Sequence, residues 1–205
     1  MTAQFNDLFL YRDIEFALAG VSEGNLFDPA QFELHPIAAS TACWRRYIAF
    51  FALSDSYLIL DRLFVNLPGE GTEEQIYAKG PSINGIRPLI KQTSFKGGLQ
   101  LFNNHYENLN YRLDYTGGLL LGHEFIRELY VHMGFHPAWK YKTVIELIFE
   151  NGLLTRQSDR SERMAEFRQR IQNDAHADER KKMPTREEIS EFVEHSFDRT
   201  YTPGE

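Results

Sequence analysis

The stretch from Leu109 to Leu154 constrains the fold more than any other part of the chain. It opens on two short apolar runs, Tyr111 to Tyr115 and Leu119 to Leu121, on either side of Thr116, Gly117 and Gly118. Adjacent glycines accept positive φ and let a chain reverse tightly, so this spacing predicts a β-hairpin from Asn110 to Leu121. Two more hairpins follow from similar signals. One spans residues 41–65 with its turn at Ser54, Asp55 and Ser56. The other runs from Thr143 to Leu154 with Asn151 and Gly152 at the turn. In the first of these, Tyr47, Phe51 and Leu53 fall on one parity and Ile48 and Phe50 on the other, which predicts a central strand covered on both faces.

Residues 5–20 are ambiguous. Phe5, Leu8, Phe9 and Phe16 sit at helical spacing, while Leu8 to Tyr11 reads equally as a strand. Asp28 followed by Pro29 is a capping residue ahead of a first-turn proline and predicts a short helical turn over 29–34. Residues 66–98 form a loop-rich insertion dense in glycine and proline, with a capping box from Thr72 to Gln75 that suits one short helix. From Ser158 the period changes. Asp159 to Glu162 resembles a capping box, and Met164, Phe167 and Ile171 recur at helical spacing, so a helix is expected to about Asn173. A charged connector over 174–184 leads to a second amphipathic helix over 185–199, with Ile189, Phe192, Val193 and Phe197 on one stripe.

These readings add up to an α+β fold in which three hairpins form a meandering antiparallel sheet. An N-terminal helix and two C-terminal amphipathic helices pack on it. Residues 1–173 are expected to form one domain, and the chain of 205 residues is long enough for a core without disulfide or metal staples.

Composition bounds the function. With 29 acidic against 22 basic residues the formal net charge is -7, which argues against duplex nucleic acid, whose phosphates need clustered cations, and suits a basic protein partner or solubility. The lone Cys43 rules out an internal disulfide and a cysteine-rich zinc site, and its apolar surroundings point to an inert buried thiol. No run of about 18 apolar residues and no leader pattern occurs, so no membrane association and a cytoplasmic location are expected.

Chemistry-bearing groups are densest at His123, Glu124, His132 and His136. On a helix, His132 and His136 would share one face as zinc ligands do, but Gly134 and Pro137 break that helix, and Glu124 lacks the second histidine of the zinc-protease spacing. No metal or cofactor is expected. Asp114 and Glu146 beside Arg45 or Arg46 would make an acid/base group or, by preference, a structural ion pair. One of the two arginines is expected at a rim or in a polar pocket. Trp139, Lys140 and Tyr141 form an aromatic-rich loop that suits partner binding if exposed and packing if not.

The reading that results is a non-catalytic cytoplasmic protein-interaction module, of the kind an immunity-type inhibitor or an assembly subunit represents, with homo-oligomerisation through the C-terminal helix as a further possibility. The alternative is a small hydrolase or nuclease using His123, His132 or His136 with Glu124 or Glu146, with or without a metal.

Overall fold

The computed structural model describes residues 2–38, 40–68, 79–90, 101–177 and 199–203. Ten strands occur among them: β1 Leu8–Tyr11, β2 Ile14–Val21, β3 Tyr47–Ser54, β4 Tyr57–Val65, β5 Leu89–Ile90, β6 Asn104–Tyr106, β7 Tyr111–Arg112, β8 Gly117–Phe125, β9 Tyr141–Glu150 and β10 Leu153–Asp159. One α-helix, α1 Ser161–Ala177, follows, and three 3-10 turns cover Pro29–Phe32, Arg127–Leu129 and Ala138–Lys140.

The strands form one sheet in the order β10-β9-β8-β2-β1-β3-β4-β6-β5, with β7 on β4. It also closes on itself. Leu153 at the start of β10 pairs with Tyr57 at the start of β4, supported by Leu58 N–H donating to the Gly152 carbonyl at 2.8 Å and Leu154 N–H to the Ser56 carbonyl at 2.9 Å. Closure turns β1 to β4 and β8 to β10 into a barrel whose interior is apolar. Phe9, Phe16, Leu18, Phe51, Leu60, Leu119, Leu121, Leu147 and Phe149 fill it.

This architecture corrects the α+β expectation. The protein is mostly sheet, and only one α-helix is present among the described residues. The expected N-terminal helix is instead the β1–β2 hairpin. Phe9 and Tyr11 are buried while Leu10 between them is exposed, the period of a strand with one face on a core. Its two-residue turn places Arg12 and Asp13 at φ 52° and 62°, a conformation normally signalled by asparagine or glycine. The helix expected over 185–199 lies outside the described residues except for Arg199, and the capping box at Thr72 to Gln75 lies outside them entirely.

The expected hairpin from Asn110 to Leu121 is also corrected, because β7 pairs with β4 whereas β8 pairs with β2 and β9. Gly118 lies within β8 rather than in a turn. Gly122 serves the same strand, and a Cβ there would meet the Tyr141 ring at 2.5 Å. Their role is close approach, not reversal. Nor is the sheet a pure antiparallel meander. β1 runs parallel to β3, Leu8 to Phe50 through Leu10 to Ala52, a pairing between segments about forty residues apart.

The other two hairpins form as the turn chemistry implies. Asp55 and Ser56 join β3 to β4 at φ 49° and 66°, and Asn151 and Gly152 join β9 to β10 at 48° and 78°. β3 is covered on both faces: Ala49 and Phe51 face the barrel interior, while Ile48 and Phe50 pack outside with Cys43, Leu101 and Phe102. A second outer cluster, Ala19, Leu120, Ala138, Tyr141 and Val144, is covered by Met164 of α1 and by Tyr201. α1 is anchored by polar bonds as well. Ser161 Oγ accepts from Val144 N–H at 3.0 Å, and Arg168 donates at 2.8 Å to the carbonyls of Trp139 and Tyr141. Phe167 on the same helix remains exposed. No helix among the described residues is long and apolar enough to cross a membrane.

Candidate functional site: a two-arginine pocket at the barrel end

Asp7 lies immediately before β1 and is buried, its side chain 5% exposed. Its Oδ1 accepts from the Ala49 backbone N–H at 2.9 Å, which ties the start of β1 to β3. Its Oδ2 accepts from Arg45 Nη1 and lies 3.5 Å from Arg199 Nη1. Three residues far apart in the chain therefore meet: one from the N-terminus, one from the turn into β3, and one from the C-terminal segment, where Val21 N–H donates to the Arg199 carbonyl at 2.9 Å.

The two arginines are not equivalent. Arg45 spends its donors on Asp7 and on the Phe5 carbonyl at 2.9 Å, and its guanidinium lies over the Tyr47 and Phe135 rings at 5.5 and 5.2 Å. Arg199 also stacks on Phe135, at 4.7 Å, yet its buried Nη1 makes no hydrogen bond among the described residues. Burial pulls the Arg199 guanidinium below its usual range, with Asp7 opposing. Burial first, and then the Asp7 charge, pushes the Tyr47 phenol up, so it stays protonated and donates to the Phe27 carbonyl at 3.1 Å.

These side chains line a cavity of about 360 Å³ at the end of the barrel where β1 and β3 begin and β2 ends. Phe27, Trp44, Tyr47 and Phe135 supply aromatic walls, and Asp7, Arg45 and Arg199 are its charged groups. Among the described lining residues two guanidiniums face one carboxylate, an excess of one positive charge. A second, more open depression shares Trp44, Arg45 and Tyr47 and extends past Ile37 and Arg46.

Trp44 forms the rim between the two, 56% exposed on a stiff turn. Its backbone N–H donates to Gln4 Oε1 at 2.9 Å, and buried Gln4 in turn donates through its side-chain amide to the Thr2 and Thr41 carbonyls, each at 2.9 Å. Within the turn Cys43 N–H donates to the Ser40 carbonyl, and Arg46 N–H to that of Cys43, each at 3.0 Å. Arg46 itself sits at φ 69° and donates to the Pro36 carbonyl. Arg45 thus lies in the polar pocket and Arg46 at the surface. Cys43 is buried, and burial raises its thiol pKa.

The residues singled out from the sequence are held apart by separate neighbours. His123 contacts the Glu15 carbonyl at 3.1 Å and the Phe16 ring, Glu124 is exposed, and His132 meets the Tyr130 hydroxyl at 2.9 Å. His136 is buried between Phe125 and Tyr130, neither ring nitrogen bonded among the described residues. Burial, and secondarily the Lys140 charge, lowers its pKa to about 4. Glu146 is buried and takes a two-pronged bond from Arg160, at 3.0 and 2.7 Å, rather than from Arg45 or Arg46. Asp114 is exposed. Among the described residues no three His, Cys, Asp or Glu side chains are grouped to hold a metal ion.

In the aromatic loop, Tyr141 and Lys140 are buried and Trp139 partly so, with the Lys140 ammonium 5.3 Å over the Trp139 ring. Asn6 donates to the Tyr141 hydroxyl at 3.0 Å. Sequence reasoning passed over Asp7, Trp44 and Arg199 as site residues. Only the adjacent arginines, Arg45 and Arg46 beside a tryptophan, gave a local signal. No known protein family, curated protein or solved structure matches this chain.

Proposed function

We propose that the protein is a non-catalytic, cytoplasmic interaction module that engages a protein partner through the Trp44 rim. The observation that carries this reading is a large exposed tryptophan held on a hydrogen-bonded turn between two depressions. Tryptophan and arginine dominate binding hot spots, and an anchor already fixed before binding loses little entropy on association. Exposed Ile37 and Arg46 extend the surface on one side of Trp44. The overall charge of -7 favours long-range encounter with a basic protein, while at short range Trp44 supplies contact area and exposed Arg46 beside it calls for an acceptor on the partner.

The test is affinity purification from native extract with the wild-type chain and Trp44→Ala in parallel, reading the native mass of the complex. A stoichiometric partner retained by the wild type and lost from a folded Trp44→Ala variant is expected. Recovery of the protein alone, or equal retention by both chains, refutes the reading.

A further inference from the structure

The interior of the pocket has a chemistry that the rim does not use. Arg45 donates to Asp7 and to the Phe5 carbonyl, whereas the buried Nη1 of Arg199, whose side chain is 15% exposed, has only a long ion pair to the same Asp7 carboxylate at 3.5 Å and no hydrogen bond among the described residues. A buried guanidinium nitrogen held only by a long, shared ion pair is under-satisfied, and an incoming oxyanion supplies the hydrogen bond it lacks. The excess of one positive charge matches a monoanion. The planar fork of arginine matches a carboxylate, and a tetrahedral dianion would be only half neutralised. Phe27, Trp44, Tyr47 and Phe135 complete the lining, and about 360 Å³ lies at the small end of ligand sites.

We propose that this pocket binds a small aromatic carboxylate, its carboxylate on the Arg199 guanidinium and its ring against the aromatic wall. The ligand is a free acid of low mass, not a protein segment; its carboxylate site at Arg199 is separate from the partner surface, with which it shares only Trp44 of the aromatic wall. Asp7 is the counter-charge the two guanidiniums share, bonded closely to Arg45 and only at 3.5 Å to Arg199, which leaves Arg199 the one with donor capacity for a ligand. Phe135, beneath both guanidiniums, fixes the height at which they present their donors.

The experiment is isothermal titration of the full chain with 3-phenylpropanoate and, separately, with 3-phenylpropanamide, which keeps the ring and removes the charge. The acid is expected to bind saturably at one site and the amide about tenfold more weakly or worse, since a charge-assisted bond is lost. Arg199→Gln should weaken the acid by about tenfold and leave the amide unchanged. Arg199→Lys keeps the charge but not the fork, and should fall between. No saturable uptake up to about 10 mM acid overturns the proposal. So does equal binding of acid and amide, or an Arg199→Gln chain that binds the acid as wild type does. Inorganic phosphate that binds more tightly than the acid also overturns it, because the site would then read bare charge. Should Arg199→Gln fail to fold by circular dichroism, the acid and amide comparison on the wild type decides alone. Failure of acid binding leaves the partner assay standing, because that assay reads capture of a protein and not titration of Arg199, and loss of the partner leaves the acid and amide comparison standing.

Discussion

Replacing Asp7 by alanine leaves the Arg45 and Arg199 guanidiniums close together without a counter-charge, and strips the Ala49 N–H of its acceptor. Removing one partner of a buried ion pair costs about 3–5 kcal/mol, because the remaining charge stays desolvated. An orphaned buried N–H costs about 1–3 kcal/mol by itself. The two overlap, and Arg45 keeps some water at 19% exposure, so the expected loss for Asp7→Ala is about 4 kcal/mol. For a chain of this length that is a melting point lower by roughly 8–16 °C.

Urea unfolding followed by tryptophan fluorescence measures the loss. Two further variants divide it into parts. Asp7→Asn keeps an oxygen for the Ala49 N–H and should recover about 1–2 kcal/mol of the loss. Combining Asp7→Ala with Arg45→Met removes the closer of the two stranded charges and its repulsion with Arg199, so the double variant should be more stable than the sum of the singles by about 2 kcal/mol or more. Additive singles, or an Asp7→Ala loss below about 1 kcal/mol, would refute the view that this carboxylate holds the barrel end together.

Other perturbations test separate parts of the structure. Gly122→Ala forces a Cβ against the Tyr141 ring, which is buried and tied to Asn6, so it should cost about 1–3 kcal/mol; an unchanged urea midpoint would mean the ring is free to shift. Asp13→Gly relieves a positive φ in the β1–β2 turn and should raise stability by about 0.5–1 kcal/mol, with a lowered midpoint counting against the assigned turn. His136 has its pKa lowered from 6.5 to about 4, so the unfolded chain binds its proton first. Its contribution is present above 6.5 and is lost as pH falls toward 4. His136→Phe should flatten the stability profile over that window relative to wild type, and parallel profiles would contradict it.

The sequence by itself determined the elements whose geometry is encoded locally. Asp55-Ser56 and Asn151-Gly152 accept positive φ, and each set the turn of a hairpin that forms as expected. Apolar residues on both parities of β3 announced a strand covered on two sides, and the helical spacing after Ser158 announced α1, though Asp159 caps it from outside by accepting from Ser161 N–H at 2.8 Å. Where local chemistry was uninformative, tertiary structure decided. Arg12 and Asp13 carry no turn signature, so β1 and β2 were indistinguishable from a helix until their apolar side chains had a barrel to face.

Gly117 and Gly118 resembled a turn because glycine reports permissiveness and not purpose; in the folded chain Gly118 makes room for Tyr201. The parallel pairing of β1 with β3 and the closure of β10 on β4 join segments far apart in the chain, and no short-range pattern specifies such a register. The pocket is the extreme case. Asp7, Arg45 and Arg199 converge only because the barrel brings the starts of β1 and β3 together and the C-terminal segment runs beside β2. A charge cluster assembled from three distant positions is a property of the closed sheet, and one-dimensional spacing cannot carry it.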